Sequence, residues 1–310
     1  MRIALAANGR MGLGLLRALQ GSEHEVVALV RDGRQSAGLW RPLDTLAGWL
    51  GGPWTVEGRA LSMGVPSVWI QAQDVRDAAR LATHEPDLLI VGNFGLILKP
   101  ALLSVPKVGA VNAHWSLLPL HRGPHPSTSV LLCGDSQTGL TFHEVTPRID
   151  GGDILDQVAL PIGPDDTSTS LYHRACAEAE RRIVALVDRI EREGLCGQPQ
   201  DLSLGSYHRR TTVEGATLDF TQDADALDRK VRALVKPMPR FTWKGRTVFV
   251  TAARPIGGVD AEPGTIVSID PGPVVACGRG GLRIAGAWTQ VPPMVWPPPW
   301  GGVKVGQVLE

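Results

Sequence analysis

The first two hundred residues alternate short apolar runs with segments whose apolar side chains recur at helical spacing. Met11, Leu15 and Leu19 show this spacing, which places them on one face of a helix. Strands that are apolar throughout are buried on both faces, as in a parallel sheet covered by helices. The pattern therefore predicts an α/β fold with a Rossmann-like, doubly wound and mainly parallel sheet. The predicted strands are residues 2–7, 25–30, 68–70, 88–92 and 108–112, and the predicted helices include residues 11–19 and 75–83.

The pattern changes in the last third of the chain. A long helix is predicted from a cap at Asp166 or Thr167 to a stop at Gly194. A segment of linker composition follows at residues 197–206. Beyond it, short apolar runs separated by turns predict a smaller OB-like β-barrel. We therefore expect two domains, residues 1–204 and residues 205–310. The predicted barrel strands are residues 247–252, 264–268, 274–277 and 282–285.

Composition and charge exclude some classes of protein. The 31 Lys and Arg balance 31 Asp and Glu, so no net charge draws the chain to nucleic acid or to an anionic membrane. The apolar runs are too short to span a bilayer. The four cysteines are widely spaced without a CxxC pair. This spacing indicates buried thiols in a reducing cytoplasm rather than a disulfide framework.

A glycine-rich turn follows the first predicted strand, at Gly9, Gly12 and Gly14. Its spacing is not the GxGxxG of a dinucleotide site, and Arg31 rather than an acidic residue comes first after the second strand. The glycines are better explained by a tight turn and close packing. Residues 33–56 lack periodicity and predict a long loop, a kind of segment that is often functional.

Asn112 and His114 carry the first candidate chemistry. They lie two residues apart at the end of a predicted strand, so their side chains point to the same side. In an open α/β sheet, ligands bind at the carboxyl edge of the strands. By itself, however, an Asn-x-His pair is weak, because a capping asparagine and a surface histidine would give the same letters. Asp150 in its Gly-rich loop could likewise be an ordinary turn residue.

The surrounding sequence makes this pair specific. Ser-Leu-Leu-Pro at 116–119, Arg122-Gly123, Thr-Gly-Leu-Thr at 138–141 and Ile-Asp-Gly-Gly-Asp-Ile-Leu at 149–155 follow in order. With them, the chain closely resembles the folate-dependent formyltransferase family, which includes methionyl-tRNA formyltransferase and sugar N-formyltransferases. The resemblance extends over most of the 310 residues and is weakest at 31–65. It implies an enzyme that transfers the formyl group of 10-formyltetrahydrofolate to an amine.

The resemblance also implies roles for individual residues. The family's catalytic Asn, His and Asp correspond to Asn112, His114 and Asp150. An amide can stabilise the oxyanion of formyl transfer, an imidazole can move protons, and a carboxylate can orient that imidazole and raise its pKa. The folate pterin is expected between two loops, residues 96–98 and 146–150. Backbone groups of these loops would form hydrogen bonds with the edge of the pterin ring. The expected folate-binding residues are Leu96, Ile97, Leu98, Thr146, Pro147, Arg148, Ile149 and Asp150. For Leu96 to Leu98, ordinary apolar packing remains an equal alternative.

The sequence leaves more than one acceptor amine open. Residues 205–310 carry 13 Lys and Arg against 9 Asp and Glu, and seven of the basic residues lie between Arg229 and Arg246. These could form a tRNA-binding face or simply a solvated one. Methionyl-tRNA enzymes carry a basic loop after the second strand, whereas residues 31–54 here contain no lysine and are rich in Trp and Leu. The sequence therefore favours a small-molecule amine, either an amino sugar nucleotide or an amino acid such as hydroxyornithine, over methionyl-tRNA.

Other histidines suggest weaker alternatives. His121, His125 and Cys133 lie near the motif, but a zinc site needs three or four convergent ligands, and we expect no metal. His143 is interpreted as a half-buried histidine with satisfied ring nitrogens. A non-catalytic folate-binding protein is the remaining alternative, and the complete Asn, His and Asp set argues against it. The sequence does not indicate an oligomeric state.

Overall fold

The computed structural model describes residues 1–33, 52–291, 294–296 and 304–309. Within them the chain divides into two compact units. Unit 1 comprises Met1–Pro126, Gln137–Pro161 and Tyr172–His208. Unit 2 comprises Ser127–Ser136, Ile162–Leu171 and Arg209–Glu310. Unit 2 thus takes in two short segments that precede the linker in the sequence.

Unit 1 is built on one seven-stranded sheet. Its strands are β1 (Arg2–Ala7), β2 (Glu25–Asp32), β3 (Ser67–Ile70), β4 (Leu88–Gly92), β5 (Gly109–His114), β6 (Gln137–Glu144) and β7 (Ile154–Pro161). They lie in the order β3-β2-β1-β4-β5-β6-β7. The first five are parallel, and β6 and β7 are antiparallel to their neighbours. The Rossmann-like, mainly parallel sheet expected from the apolar runs is confirmed.

Helices cover both faces of this sheet. The helices found in the described residues of the chain are α1 (Gly9–Gln20), α2 (Val56–Ser62), α3 (Val75–Ala82), α4 (Pro100–Leu103), α5 (Pro126–Cys133), α6 (Ser168–Glu193) and α7 (Ala224–Ala233). Successive residues of β1 enter opposite cores: Ile3 and Leu5 pack with α1 and α6, whereas Ala4 and Ala6 pack in the core that includes Leu81 of α3. This alternation is the period of a strand buried on both sides.

The glycine-rich turn after β1 serves close packing. Gly9 has φ +57°, a conformation that glycine adopts without steric cost. A Cβ on Gly12 would lie 2.8 Å from the carbonyl carbon of Ala7, so only glycine lets α1 approach the strand this closely. Of the long loop expected at 33–56, residues 34–51 lie outside the described residues. Its last part forms a 3₁₀ turn at Gly52–Trp54 and the start of α2.

Unit 2 contains a separate antiparallel sheet, as expected for the smaller C-terminal domain. Its strands are β8 (Arg240–Trp243), β9 (Arg246–Ile256), β10 (Ile266–Ser268), β11 (Val274–Ala276), β12 (Gly281–Val291) and β13 (Met294–Trp296). The order is β10-β11-β12-β9-β8, and β13 pairs with β12. Strand β12 is much longer than the predicted residues 282–285, because it stays paired with β9 on both sides of two register shifts. In the described part of the chain, no helix is long and apolar enough to cross a membrane.

Candidate active site

Asn112 and His114 lie near the carboxyl end of β5, next to β4 in the sheet. Both side chains emerge on one side of the strand, because successive residues alternate between its two faces. Asn112 is partly exposed, whereas His114 is only 4% exposed. The strand therefore presents an amide and a buried imidazole together, at the edge of the sheet where α/β proteins bind ligands.

Asp150 reaches the same place from the loop between β6 and β7. Its Oδ2 accepts a hydrogen bond of 2.8 Å from the Gly123 backbone N–H. Its Oδ1 lies 3.7 Å from His114 Nδ1 and 3.7 Å from His143 Nε2. The backbone of Asp150 has φ +48°, and Gln200 Nε2 donates to its carbonyl oxygen at 3.2 Å. The loop thus holds the carboxylate between two imidazoles.

The tautomer of His114 follows from its backbone partner. Nε2 lies 3.0 Å from the carbonyl oxygen of His121, which can only accept, so Nε2 carries the hydrogen. His121 is held in turn because its backbone N–H donates to Ser206 Oγ at 2.9 Å. The neutral ring therefore keeps its lone pair on Nδ1, the atom that faces Asp150. This is the nitrogen that can take up a proton.

Burial and charge act in opposite directions on this pair. Burial lowers the pKa of His114 below its usual value, although the Asp150 carboxylate partly offsets this effect. Burial would raise the pKa of Asp150, but the charge of His114, the His143 ring and the Gly123 N–H outweigh it and lower that pKa to about 2. Near neutral pH the pair is therefore a neutral imidazole beside a carboxylate.

His143 joins this group from the neighbouring strand. It is 2% exposed, and its Nε2 lies 3.1 Å from Asn112 Nδ2. Its Nδ1 lies 2.8 Å from the Glu144 carbonyl oxygen. The ring is therefore fully rather than half buried, and both of its nitrogens have partners. One of those partners is the amide of Asn112.

A buried glutamine holds the first of the two loops expected to bind folate. Gln73 Nε2 donates to the Ile97 carbonyl oxygen at 3.0 Å, and Gln73 Oε1 accepts from the Lys99 N–H at 2.9 Å. Gln73 is itself held by Asp77, whose Oδ2 accepts from its backbone N–H at 2.7 Å. Leu96 and Leu98 are buried, whereas Ile97 between them is 69% exposed. The loop is anchored by its backbone and presents Ile97 outward.

The second loop is fastened mainly by backbone contacts. Pro147, Arg148 and Ile149 are exposed. The Arg148 carbonyl oxygen accepts from Thr146 Oγ1 at 3.2 Å and from the Gly151 N–H at 3.2 Å. These bonds close the turn that leads to Asp150.

Comparison with known proteins places the chain in a family. The family profile described as formyl transferase matches residues 70–187, and that of the formyl transferase C-terminal domain matches residues 210–289. The methionyl-tRNA formyltransferase of Methylobacillus flagellatus is 37% identical over 92% of this chain and 90% of its own length. The chain belongs to the formyltransferase family. A second relative, the methionyl-tRNA formyltransferase of Methylococcus capsulatus, is 34% identical over 92% of this chain and 91% of its own.

Solved formyltransferase structures share the fold. An N-formyltransferase from Helicobacter canadensis, solved with folinic acid and dTDP-3-aminofucose, has a TM-score of 0.67 at 16% identity and covers 92% of this chain and 98% of its own. HypX from Aquifex aeolicus, solved with tetrahydrofolic acid, has a TM-score of 0.64 at 17% identity and covers 98% of this chain and 48% of its own. The family membership confirms a folate-dependent N-formyltransferase that takes its formyl group from a folate. It is an enzyme rather than the non-catalytic folate-binding protein that the sequence left open.

Sequence reasoning missed two side chains that organise the site of this formyltransferase. His143 was interpreted without its partner, although its position opposite Asn112 follows from the pairing register of β5 and β6. Gln73 gave no local signal beyond its place after β3. Its φ of +55° and its two backbone partners appear only in the folded chain.

Proposed function

We propose that this formyltransferase transfers the formyl group of 10-formyltetrahydrofolate to the α-amine of methionyl-tRNA. The observation that carries this acceptor is the likeness to methionyl-tRNA formyltransferases at 37% and 34% identity, each over 92% of this chain. That likeness extends through the C-terminal domain as well as the catalytic one. The acceptor differs from the small-molecule amine that the sequence alone favoured.

Asn112, His114 and Asp150 are the proposed catalytic residues. As the amine attacks the formyl carbon, the formyl oxygen becomes negative, and an N–H of Asn112 would donate to it. His114 Nδ1, which holds the lone pair, would take the proton that the amine loses and return one to the departing folate nitrogen. Asp150, 3.7 Å from Nδ1, would stabilise the imidazolium formed between these steps.

The two loops described above are the proposed folate contacts. The exposed Ile97 and the exposed run Pro147, Arg148 and Ile149 leave backbone and side-chain surface available at the loop tips. Anchoring of the first loop by Gln73 supports a preformed binding surface, which lowers the cost of ordering on binding.

Basic residues of unit 2 are consistent with a nucleic-acid substrate. Lys236, Lys244 and Arg246 are exposed within the basic run between Arg229 and Arg246. Exposed cations of this kind can neutralise backbone phosphates and release counterions. Together with the excess of four positive charges at residues 205–310, 13 basic against 9 acidic, they would favour tRNA over a neutral acceptor.

A small-molecule amine is the second candidate, and residues 31–54 favour it. This segment contains Arg31, Arg34 and Arg41 but no lysine. Arg31 forms an ion pair with Glu57 and lies over the ring of Trp69 at 5.2 Å. Its charge therefore already has partners within the protein and is not offered to a tRNA phosphate. Residues 34–51 lie outside the described residues. An amino sugar nucleotide or an amino acid such as hydroxyornithine would be the acceptor in this case.

Mass spectrometry of the products separates the two candidates. The enzyme is incubated with 10-formyltetrahydrofolate and, in parallel, with methionyl-tRNA, amino sugar nucleotides and hydroxyornithine, and the gain of one formyl group is measured. We expect methionyl-tRNA to be formylated fastest, at a rate that falls steeply from low to moderate salt because phosphate contacts release counterions. Asn112→Ala serves as the inactive control. A small amine formylated faster than methionyl-tRNA, with shallow salt dependence, overturns the tRNA proposal and supports the second candidate.

A further inference from the structure

Asn112 on β5 and His143 on β6 lie directly opposite each other in the antiparallel pairing. Their side chains form a hydrogen bond of 3.1 Å between Asn112 Nδ2 and His143 Nε2. We propose that His143 is a positioning residue that fixes which end of the Asn112 amide faces the reacting carbonyl. The proposal rests on the proposed catalytic role of Asn112 and is independent of the identity of the acceptor amine.

The hydrogen-bond partners of His143 fix which of its ring nitrogens donates and which accepts. The Glu144 carbonyl oxygen can only accept, so His143 Nδ1, 2.8 Å away, carries the ring hydrogen. In the neutral ring Nε2 is then an acceptor. The amide nitrogen of Asn112 has only N–H groups to offer, so it donates to Nε2. Both ring nitrogens of His143 then have a protein partner.

The arrangement leaves Asn112 with a donor to spare. One of its two N–H groups bonds His143, and the other is available to a substrate oxygen. If the amide were flipped, Oδ1 would meet the lone pair of His143 Nε2, and two acceptors would face each other. The flipped amide would also present an oxygen to the developing negative charge, which it would repel. The lone pair of His143 Nε2 therefore selects the orientation that stabilises an oxyanion.

The surroundings of His143 suit a residue that positions Asn112 better than one that contacts the substrate itself. The ring is 2% exposed, and its centroid lies 6.2 Å from that of His114 in an edge arrangement. Its distance of 3.7 Å from Asp150 Oδ1 exceeds that of a direct hydrogen bond. Both ring nitrogens are occupied by protein partners. The side chain can thus act on the reaction through Asn112 without contacting the substrate.

The test compares two substitutions of His143 in two backgrounds. His143→Leu removes the acceptor, whereas His143→Gln supplies a carbonyl oxygen that can accept from Asn112. We expect His143→Leu to lower kcat about 5-fold, the usual weight of one hydrogen bond, with the folate KM unchanged. We expect His143→Gln to recover most of that loss. In the Asn112→Ala background, His143→Leu should cause no further loss of kcat, because the amide through which His143 acts on the reaction is already absent.

A core variant controls for simple destabilisation. Leu140, on the same strand and fully buried, is changed to alanine in both backgrounds. Its effect on the rate should be the same in each, since it does not act through Asn112. An equal loss from His143→Leu in both backgrounds, or no loss in either, overturns the proposal.

A second measurement does not depend on activity. Nitrogen-15 NMR of labelled histidine in the wild-type enzyme should show His143 as the Nδ1–H tautomer near neutral pH. The Nε2–H tautomer would overturn the proposal whatever the kinetics show. If Asn112→Ala kept full turnover while His143 showed the expected tautomer, the proposed catalytic role of Asn112 would fail instead.

Discussion

The Asp150 carboxylate faces His114 Nδ1 across 3.7 Å, while the opposite nitrogen of the ring is bonded to the His121 backbone. The distance is too long for a direct hydrogen bond, so Asp150 acts on the ring through its charge. The His121 carbonyl, rather than the carboxylate, sets the tautomer. The two functions that one carboxylate performs in many catalytic pairs are therefore divided between a backbone carbonyl and a side chain.

Removing either polar side chain of β5 should abolish most of the turnover. We expect Asn112→Ala and His114→Ala each to lower kcat by at least about 10²-fold, as loss of an oxyanion donor or a general base does. Folate binding, measured by fluorescence titration, should stay nearly unchanged, because neither side chain belongs to the two proposed folate loops. Near-full turnover in a coupled assay would contradict the catalytic assignment.

Asp150→Asn should shift the pH–rate profile as well as lower kcat. Burial already lowers the pKa of His114, and the carboxylate offsets part of this effect. Its removal lowers that pKa further, so the neutral, basic ring persists to lower pH. The acid limb of log kcat against pH should therefore move to lower pH. The asparagine oxygen can still accept from the Gly123 N–H, which makes the variant a close structural match. An unmoved limb with full activity would mean that Asp150 is only a turn residue.

Gln73→Ala should weaken folate binding without slowing the chemical step. The substitution frees the Ile97 carbonyl and the Lys99 N–H, so the loop loses two of its hydrogen bonds to the rest of the protein. We expect the folate KM to rise about 30-fold, because two hydrogen bonds of ordinary strength are lost, with kcat little changed. Gln71→Ala is the matched control, because Gln71 Nε2 bonds Gly33 rather than this loop. Equal KM values for the two variants would argue against the loop as a folate contact.

Gly152→Ala and Gly151→Ala should differ although they are neighbours. A Cβ on Gly152 would overlap the backbone carbonyl oxygen of Glu144, which cannot move without disturbing β6. A Cβ on Gly151 meets Cγ of the Arg148 side chain at 2.9 Å, and this exposed side chain can change rotamer to relieve the contact. We expect Gly152→Ala to lower both Tm and kcat through the displaced Asp150 loop, while Gly151→Ala keeps both near wild type. Thermal melts and initial rates of the two proteins provide the check.

Local periodicity determined much of the fold in advance. Strands β1 and β4 match the apolar runs residue for residue, and α6 follows the apolar stripe that ends at Gly194. These features were predictable because apolar residues recur along the sequence with the two-residue period of a strand or the 3.6-residue period of a helix. The shared side of Asn112 and His114 follows from the same two-residue period.

Relationships between distant segments required the folded chain. His143 meets Asn112 because β5 and β6 pair in one register, and a shift of one residue would have turned its ring to the other face. The His121 carbonyl, Gln73 and the segments Ser127–Ser136 and Ile162–Leu171 likewise take their roles from partners far along the chain. The sequence by itself predicted the candidate catalytic residues and determined which face of a strand presents Asn112 and His114. Only the tertiary structure decided which atom of each residue is free to act, because packing over the whole unit sets register and tautomer.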